Sequence, residues 1–191
     1  MERKKTVCFT GHRPEKLTAS KDAVIYTLGN AIEQAYKDGY RIFISGMARG
    51  VDLQAAQIVL RMKEKEPDVQ LVCASPYPGF EGKRHDSWYA AYQRSMQGAD
   101  EIAFVSEEYS RGVYQKRNEW MCNHSNRLIA VWNGQPSRTA NTIRYTQKIG
   151  IEVVFSNRTH GSIKFKYGDS LPDCDKVWHL FCSQDRKNQV S

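Results

Sequence analysis

Apolar positions along the chain gather into six short runs rich in β-branched and aromatic residues, at 5–10, 41–45, 69–74, 100–105, 128–132 and 151–155. Between the runs, apolar residues recur at helical spacing, which predicts helices over 18–38, 51–65, 83–97, 113–125 and 139–149, with Gly39 and Gly150 closing the first and last. Strands separated by helices of this length specify a parallel sheet with right-handed crossovers. The expected fold class is α/β: a Rossmann-like three-layer sandwich over residues 1–156, its sheet mainly parallel and its helices on both faces.

The pattern changes after that point. Residues 162–167 alternate polar and apolar side chains as an edge strand does, Gly168-Asp169 suits a turn, and 177–181 form a compact apolar patch. Residues 157–191 are therefore expected to be a small C-terminal appendage, a β-hairpin with a frayed polar end at 183–191.

Two strand ends carry glycine-bearing polar turns. The second run breaks at Ser45-Gly46-Met47-Ala48-Arg49-Gly50-Val51-Asp52 into a helix starting near Val51, and the first is followed by Gly11-His12-Arg13-Pro14. Glycines let a backbone approach an anion, and a helix start offers unpaired N–H groups with the positive end of its dipole. Loops leaving the carboxyl ends of adjacent parallel strands meet at one crevice, which makes these residues a candidate ligand site. Plainer readings stand beside this one: a βα connection eased by glycine, Arg13 as a solvated loop charge, His12 as a turn residue bonded to the backbone. For Asp52, capping of the helix and contact with a ribose are both open.

Other loops add candidates. Tyr77 and Phe80, with Glu81, Lys83 and Arg84 close behind, are placed to stack on a base or to form a structural lid; Trp88 suits an anchor for the third helix. Arg117, Asn118 and Glu119 lie in the first half of a helix, where neighbours point about 100° apart, so Arg117 or Asn118 can face the crevice while Glu119 faces solvent or complements the dipole.

Composition narrows the classes. At 191 residues and 40% hydrophobic, the chain can bury a core. It has no apolar run of the ~18 residues a membrane span needs, and the charged residues 1–5 lead into a strand too short for a signal-peptide core, so a bacterial-type cytoplasm is expected and no membrane partner. Five cysteines without a Cys-x-x-Cys signal neither a disulfide framework nor zinc, and Cys174, His179 and Cys182 with His160 fit no common ligand spacing; no metal is expected. The net charge of +7 favours anionic partners, but the basic residues form no stripe of the kind that tracks nucleic acid. Gly-x-Gly-x-x-Gly is missing from the first turn, which argues against a dinucleotide oxidoreductase, and no resident cofactor is expected.

Taken together, Gly11-His-Arg-Pro14, Ser45-Gly-Met-Ala-Arg-Gly-Val-Asp52 followed by Ala55-Ala56, Ala99-Asp100, and Arg117-Asn-x-Trp-Met121 with Ser125 resemble the YpsA-like branch of the SLOG superfamily, Rossmann-like domains that include the DprA/Smf DNA-processing proteins and the LOG nucleotide-cleaving enzymes. The resemblance covers about residues 5–156. It implies a nucleotide or nucleotide-derived ligand held over Gly46, Arg49, Gly50 and Asp52 with Gly11, His12 and Arg13 alongside; Ser45, Tyr77, Arg117 and Asn118 complete the candidate set. Two departures stand out. LOG enzymes carry Pro-Gly-Gly-x-Gly-Thr and acidic catalytic residues after the fourth strand, where this chain has Glu107 to Tyr114, and a Gly-Gly-Thr-type turn before the last helix reads Ser137-Arg138-Thr139 here, with Arg138 able to supply charge. Three functions follow. The first is a module that binds or senses a nucleotide with regulatory output, the second an N-glycosidic hydrolase of nucleoside monophosphates or a related nucleotide, assisted by Asp52, Glu81 or Glu119, and the third single-stranded DNA binding. No residue is assigned as catalytic. The expected partner is the nucleotide-like small molecule, with nucleic acid as the alternative and a homodimer left open.

Overall fold

Each of the six apolar runs becomes a strand in the computed structural model, which describes residues 5–17, 19–81, 87–156 and 162–165. Strands and helices alternate as β1 (Lys5–Gly11), α1 (Lys21–Lys37), β2 (Tyr40–Ser45), α2 (Val51–Lys63), β3 (Gln70–Ser75), α3 (Ser87–Gly98), β4 (Glu101–Phe104), α4 (Val113–Asn123), β5 (Arg127–Val131), α5 (Arg138–Lys148) and β6 (Glu152–Ser156), followed by β7 (Ser162–Phe165). The sheet order is β4-β3-β2-β1-β5-β6-β7. Strands β1 to β6 are parallel, and β7 pairs antiparallel with β6, Val153 opposite Phe165. The chain runs outward from β1 to β4 on one side and from β5 on the other, so the order reverses between β1 and β5, and open α/β sheets bind ligands at the carboxyl side of such a reversal.

Helices cover both faces, which is why the strands read as unbroken apolar runs. Val7, Phe9, Phe43, Leu71 and Ile129 pack with α1 and α2 through Leu28, Ile32 and Val59. Cys8, Ile44, Val72, Leu128 and Ala130 face the opposite layer, against Met121, Cys122 and Ile143 of α4 and α5. Cys8 and Cys73 are thus small core side chains, as their place in strands implied.

Element ends differ from expectation where local chemistry intervenes. The first helix starts at Lys21 because Ser20 caps it, its Oγ accepting the Ala23 N–H at 3.3 Å, and a 3-10 turn over Pro14–Lys16 takes up the chain before it. The third helix is described from Ser87; its expected start at 83 lies outside the described residues. In the tail, Ser162–Phe165 forms the expected edge strand, while its hairpin partner, the patch at 177–181 and the residues His160, Cys174, His179 and Cys182 lie outside the described residues. Among the described residues no helix is long and apolar enough to cross a membrane, and no group of three metal-ligating side chains occurs.

At the amino ends of the strands the polar chemistry is matched within the fold. Arg127 pairs with Asp38 Oδ2 through Nη1 and with Glu152 Oε2 through Nε, each at 2.7 Å, while its guanidinium lies 4.3 Å from the Tyr40 ring centre. Asp100 Oδ2 accepts the Leu71 N–H at 2.7 Å and pairs with Lys63 Nζ at 2.5 Å, tying the start of β3 to the end of α2.

Candidate functional site

The carboxyl ends of the strands contrast with this. The turn after β2 is built on Ser45, which is fully buried. Its hydroxyl donates to the Asp52 carbonyl at 2.7 Å and accepts the Met47 N–H at 3.2 Å, stapling the loop to the first turn of α2. Met47 adopts a left-handed φ of 60° with its side chain buried, a conformation that costs free energy and persists because the surroundings fix it. Gly50 is the N-cap of α2 at φ 104°, ψ −128°, which supplies no side-chain cap and leaves the first N–H groups of the helix without partners inside it.

That conformation is nearly closed to other residues, and a Cβ on Gly50 would lie 3.1 Å from both His12 O and Pro14 Cδ. Gly50→Ala is expected to lower unfolding stability by about 1–3 kcal/mol. Urea denaturation reads this directly, and an unshifted midpoint would mean that the turn relaxes without cost.

Gly46 has no room for a side chain either. A Cβ there would fall on Arg117, 2.7 Å from its Cζ, and 2.6 Å from Asp52 Oδ2, so the missing side chain lets a guanidinium lie across the turn. Gly11 permits the same kind of approach between β1 and Val51.

Arg117 projects from α4 and is only 4% exposed. Its Nε donates to Asn118 Oδ1 at 2.9 Å, and Asn118 Nδ2 donates in turn to Thr142 Oγ1 of α5 at 2.9 Å. Its Nη1 reaches Asp52 Oδ2 at 3.7 Å, beyond hydrogen-bond range, and makes no hydrogen bond among the described residues. Burial pushes the Asp52 carboxyl up to about 6, against the pull of the Arg117 charge and the Ala48 N–H; burial also lowers Arg117, with Asp52 opposing it. A guanidinium remains charged through such a shift.

His12 continues the β1–β5 ladder, its N–H donating to Val131 O at 3.2 Å. The imidazole is 4% exposed, and its Nε2 has no partner among the described residues. Burial lowers its pKa, with Lys16 acting in the same direction and the Asn133 side chain opposing, so the ring is neutral at pH 7.

The remaining candidates form a rim. Arg13 is exposed at the start of the 3-10 turn, and Arg49 pairs with Glu15 at 3.1 Å, both side chains about half exposed. Tyr77 stands edge-on to Tyr109 at 5.9 Å and to Phe80 at 6.2 Å. Phe80 turns inward to Trp88 and Tyr92, whereas Tyr109 is 64% exposed, so Tyr77 lies between a buried aromatic cluster and solvent. Tyr114 and Arg138 stand near Arg117, with the Arg138 guanidinium 5.3 Å from the Tyr114 ring centre. The start of α5 is capped by Ser137, whose Oγ accepts the Ala140 N–H at 3.1 Å.

The structure thus brings Ser45, Gly46, Gly50, Asp52, Arg117, Gly11 and His12 into one floor. Of the two side chains open for Arg117 and Asn118, Arg117 faces the turn and Asn118 faces α5. Glu119 accepts from Gln115 Nε2 at 2.9 Å along α4. Asp52 does not cap α2, because Gly50 holds the cap position; it is the acid of the helix's first turn, 3.7 Å from Arg117, and its contact with a ribose stays a proposal. Glu15, Tyr109, Tyr114 and Thr142 are neighbours that the sequence did not single out. Glu15 and Thr142 act by pairing with residues far away in sequence, for which one chain offers no signal; Tyr109 and Tyr114 lie in the stretch 107–114, which the sequence marked only by the motif missing from it.

The model of the YspA SLOG family matches residues 7–154. The SPbeta prophage-derived protein YoqJ of Bacillus subtilis is 33% identical over 145 residues, 67% of this chain and 80% of that protein. A UPF0398 protein of Staphylococcus epidermidis is 25% identical over 177 residues, 88% of this chain and 92% of that protein. Among solved structures, the molybdenum cofactor carrier protein of Chlamydomonas reinhardtii superposes with a TM-score of 0.52 over 95% of this chain and 87% of that one; at 16% identity the likeness is one of fold.

Proposed function

The chain belongs to the YspA SLOG family, and from that membership and the site geometry we propose that it binds a nucleotide or nucleotide-derived small molecule, with regulatory rather than catalytic output. One observation carries this reading. Two polar side chains, Arg117 and His12, are each 4% exposed and each hold a nitrogen with no hydrogen-bond partner among the described residues. They flank a helix start that has no side-chain cap. A buried polar nitrogen left unmet costs about 1–3 kcal/mol, and its retention in a fold calls for a partner such as an ion, water or ligand. An anionic group such as a phosphate satisfies the requirement, because Arg117 and the N–H groups of α2 favour negative charge. Tyr77 and Tyr109, edge-on to each other at 5.9 Å, are the rim aromatics available to stack on a base.

Asp52 supports a second reading. A buried carboxyl near pH 6 can carry a proton at neutral pH, as cleavage of a glycosidic bond requires of a general acid.

Titration calorimetry with AMP, ADP and ADP-ribose, with free base followed by chromatography in the same samples, tests both. Binding below millimolar without release of base supports the binding module. Turnover at about 1 per second or faster transfers the site to the hydrolase reading, and absence of binding across the panel removes the nucleotide class.

A further inference from the structure

The end strand β4 breaks the rule that holds for β1, β2, β3, β5 and β6. Register places Ile102 beside Cys73 and Phe104 beside Ser75, so both side chains lie on the sheet face that α3 covers over β3. On β3 that face is buried, with Cys73 and Ser75 fully covered, whereas Ile102 is 43% and Phe104 49% exposed. A groove of about 300 Å³ runs between α3 and this edge, with Tyr89 and Met96 facing Phe104. An uncovered apolar edge with a free row of backbone donors and acceptors is a template for pairing that folds normally cover or charge.

We propose that β4 and the α3 groove form the contact between two copies of this chain, the β4 strands meeting antiparallel across a two-fold axis. Charge selects the occupant. The chain as a whole carries +7, so two copies repel over most of their surfaces. At this edge the exposed groups are Glu101, Glu107 and Glu108 against Arg111 and Lys116, a locally acidic patch of mixed sign. A cleft of about 690 Å³ beside Phe104 holds Glu107, Glu108 and Lys116 together. In an antiparallel two-fold contact the carboxyl end of one β4 meets the amino end of the other, so Arg111 and Lys116 of one copy approach Glu101 of the second, and the reverse, while Glu107 and Glu108 are offset by the cations beside them. A nucleic acid would meet three carboxylates here and is disfavoured.

Sedimentation of the full chain between about 1 and 100 µM, with hydrogen exchange on the same samples, decides the matter. The expected result is a species of twice the chain mass whose β4 amides exchange more slowly as concentration rises. Phe104→Glu and Ile102→Lys, both at half-exposed positions, should each weaken association by about 100-fold. Tyr26→Glu, on α1 at 70% exposure, should leave it unchanged. A monomer at every concentration overturns the proposal, and so does a dimer that survives both β4 substitutions.

Discussion

Replacing Arg117 by methionine is expected to lower the affinity for the tightest-binding nucleotide of the panel by about 30-fold or more, corresponding to the roughly 2–5 kcal/mol lost when one partner of a buried charged pair is truncated. The reason lies in what the guanidinium already does. One edge is spent on Asn118 at 2.9 Å, which fixes the plane through Thr142, and the other edge is unpaired except for the long approach to Asp52. Methionine keeps the length of the stem but offers no donor. The single substitution strands the Asp52 carboxyl in a buried site and is expected to lower the melting temperature as well. The double variant Arg117→Met with Asp52→Asn leaves no charge stranded, so it should fold and still fail to bind. Calorimetry on the double variant is the deciding measurement: wild-type affinity in a folded protein would remove Arg117 from the ligand site.

The fold was legible because both faces of the sheet are covered. A strand such as Leu128 to Val131 is apolar at every position, and a helix such as α2 shows its buried face through Val51, Ala55 and Val59; these are local patterns. The site was legible only in part. Glycines at Gly46 and Gly50 marked the turn, but the space at Gly46 is filled by Arg117, about seventy residues away, and Gly50 meets His12 and Pro14 of the loop after β1; no periodicity links any of these. Alternation along α4 narrowed the choice to Arg117 or Asn118, and only the packing of α5 on α4 separates them, since Thr142 takes up Asn118. Arg49 looked free on its loop because Glu15, its partner, sits on the loop after another strand.

The largest pH effect is expected from Asp52, and its sign runs opposite to that of an ordinary salt-bridged carboxylate. Its folded pKa is raised to about 6 from an ordinary 3.8. The native state therefore holds the proton more tightly than the unfolded chain, so the stabilising contribution is fully present below about pH 4 and is lost as pH rises through 6. A shift of that size corresponds to about 3 kcal/mol. Asp52→Asn provides the reference. It leaves Arg117 without its carboxylate, a cost that does not vary between pH 4 and 8 because the guanidinium stays charged, and the titration of His12 is common to both proteins. The wild-type stability minus that of the variant, measured by urea denaturation, should fall as pH rises across this window. A difference that is flat or rises with pH would mean that Arg117 outweighs burial and holds Asp52 ionised. The same proton links to the ligand. An anion seated on Arg117 draws that charge away from Asp52 and raises its pKa further, so binding takes up a proton. ADP-ribose, whose pyrophosphate does not titrate near pH 6, should bind more tightly as pH falls towards 6 in the wild type and with no such trend in Asp52→Asn.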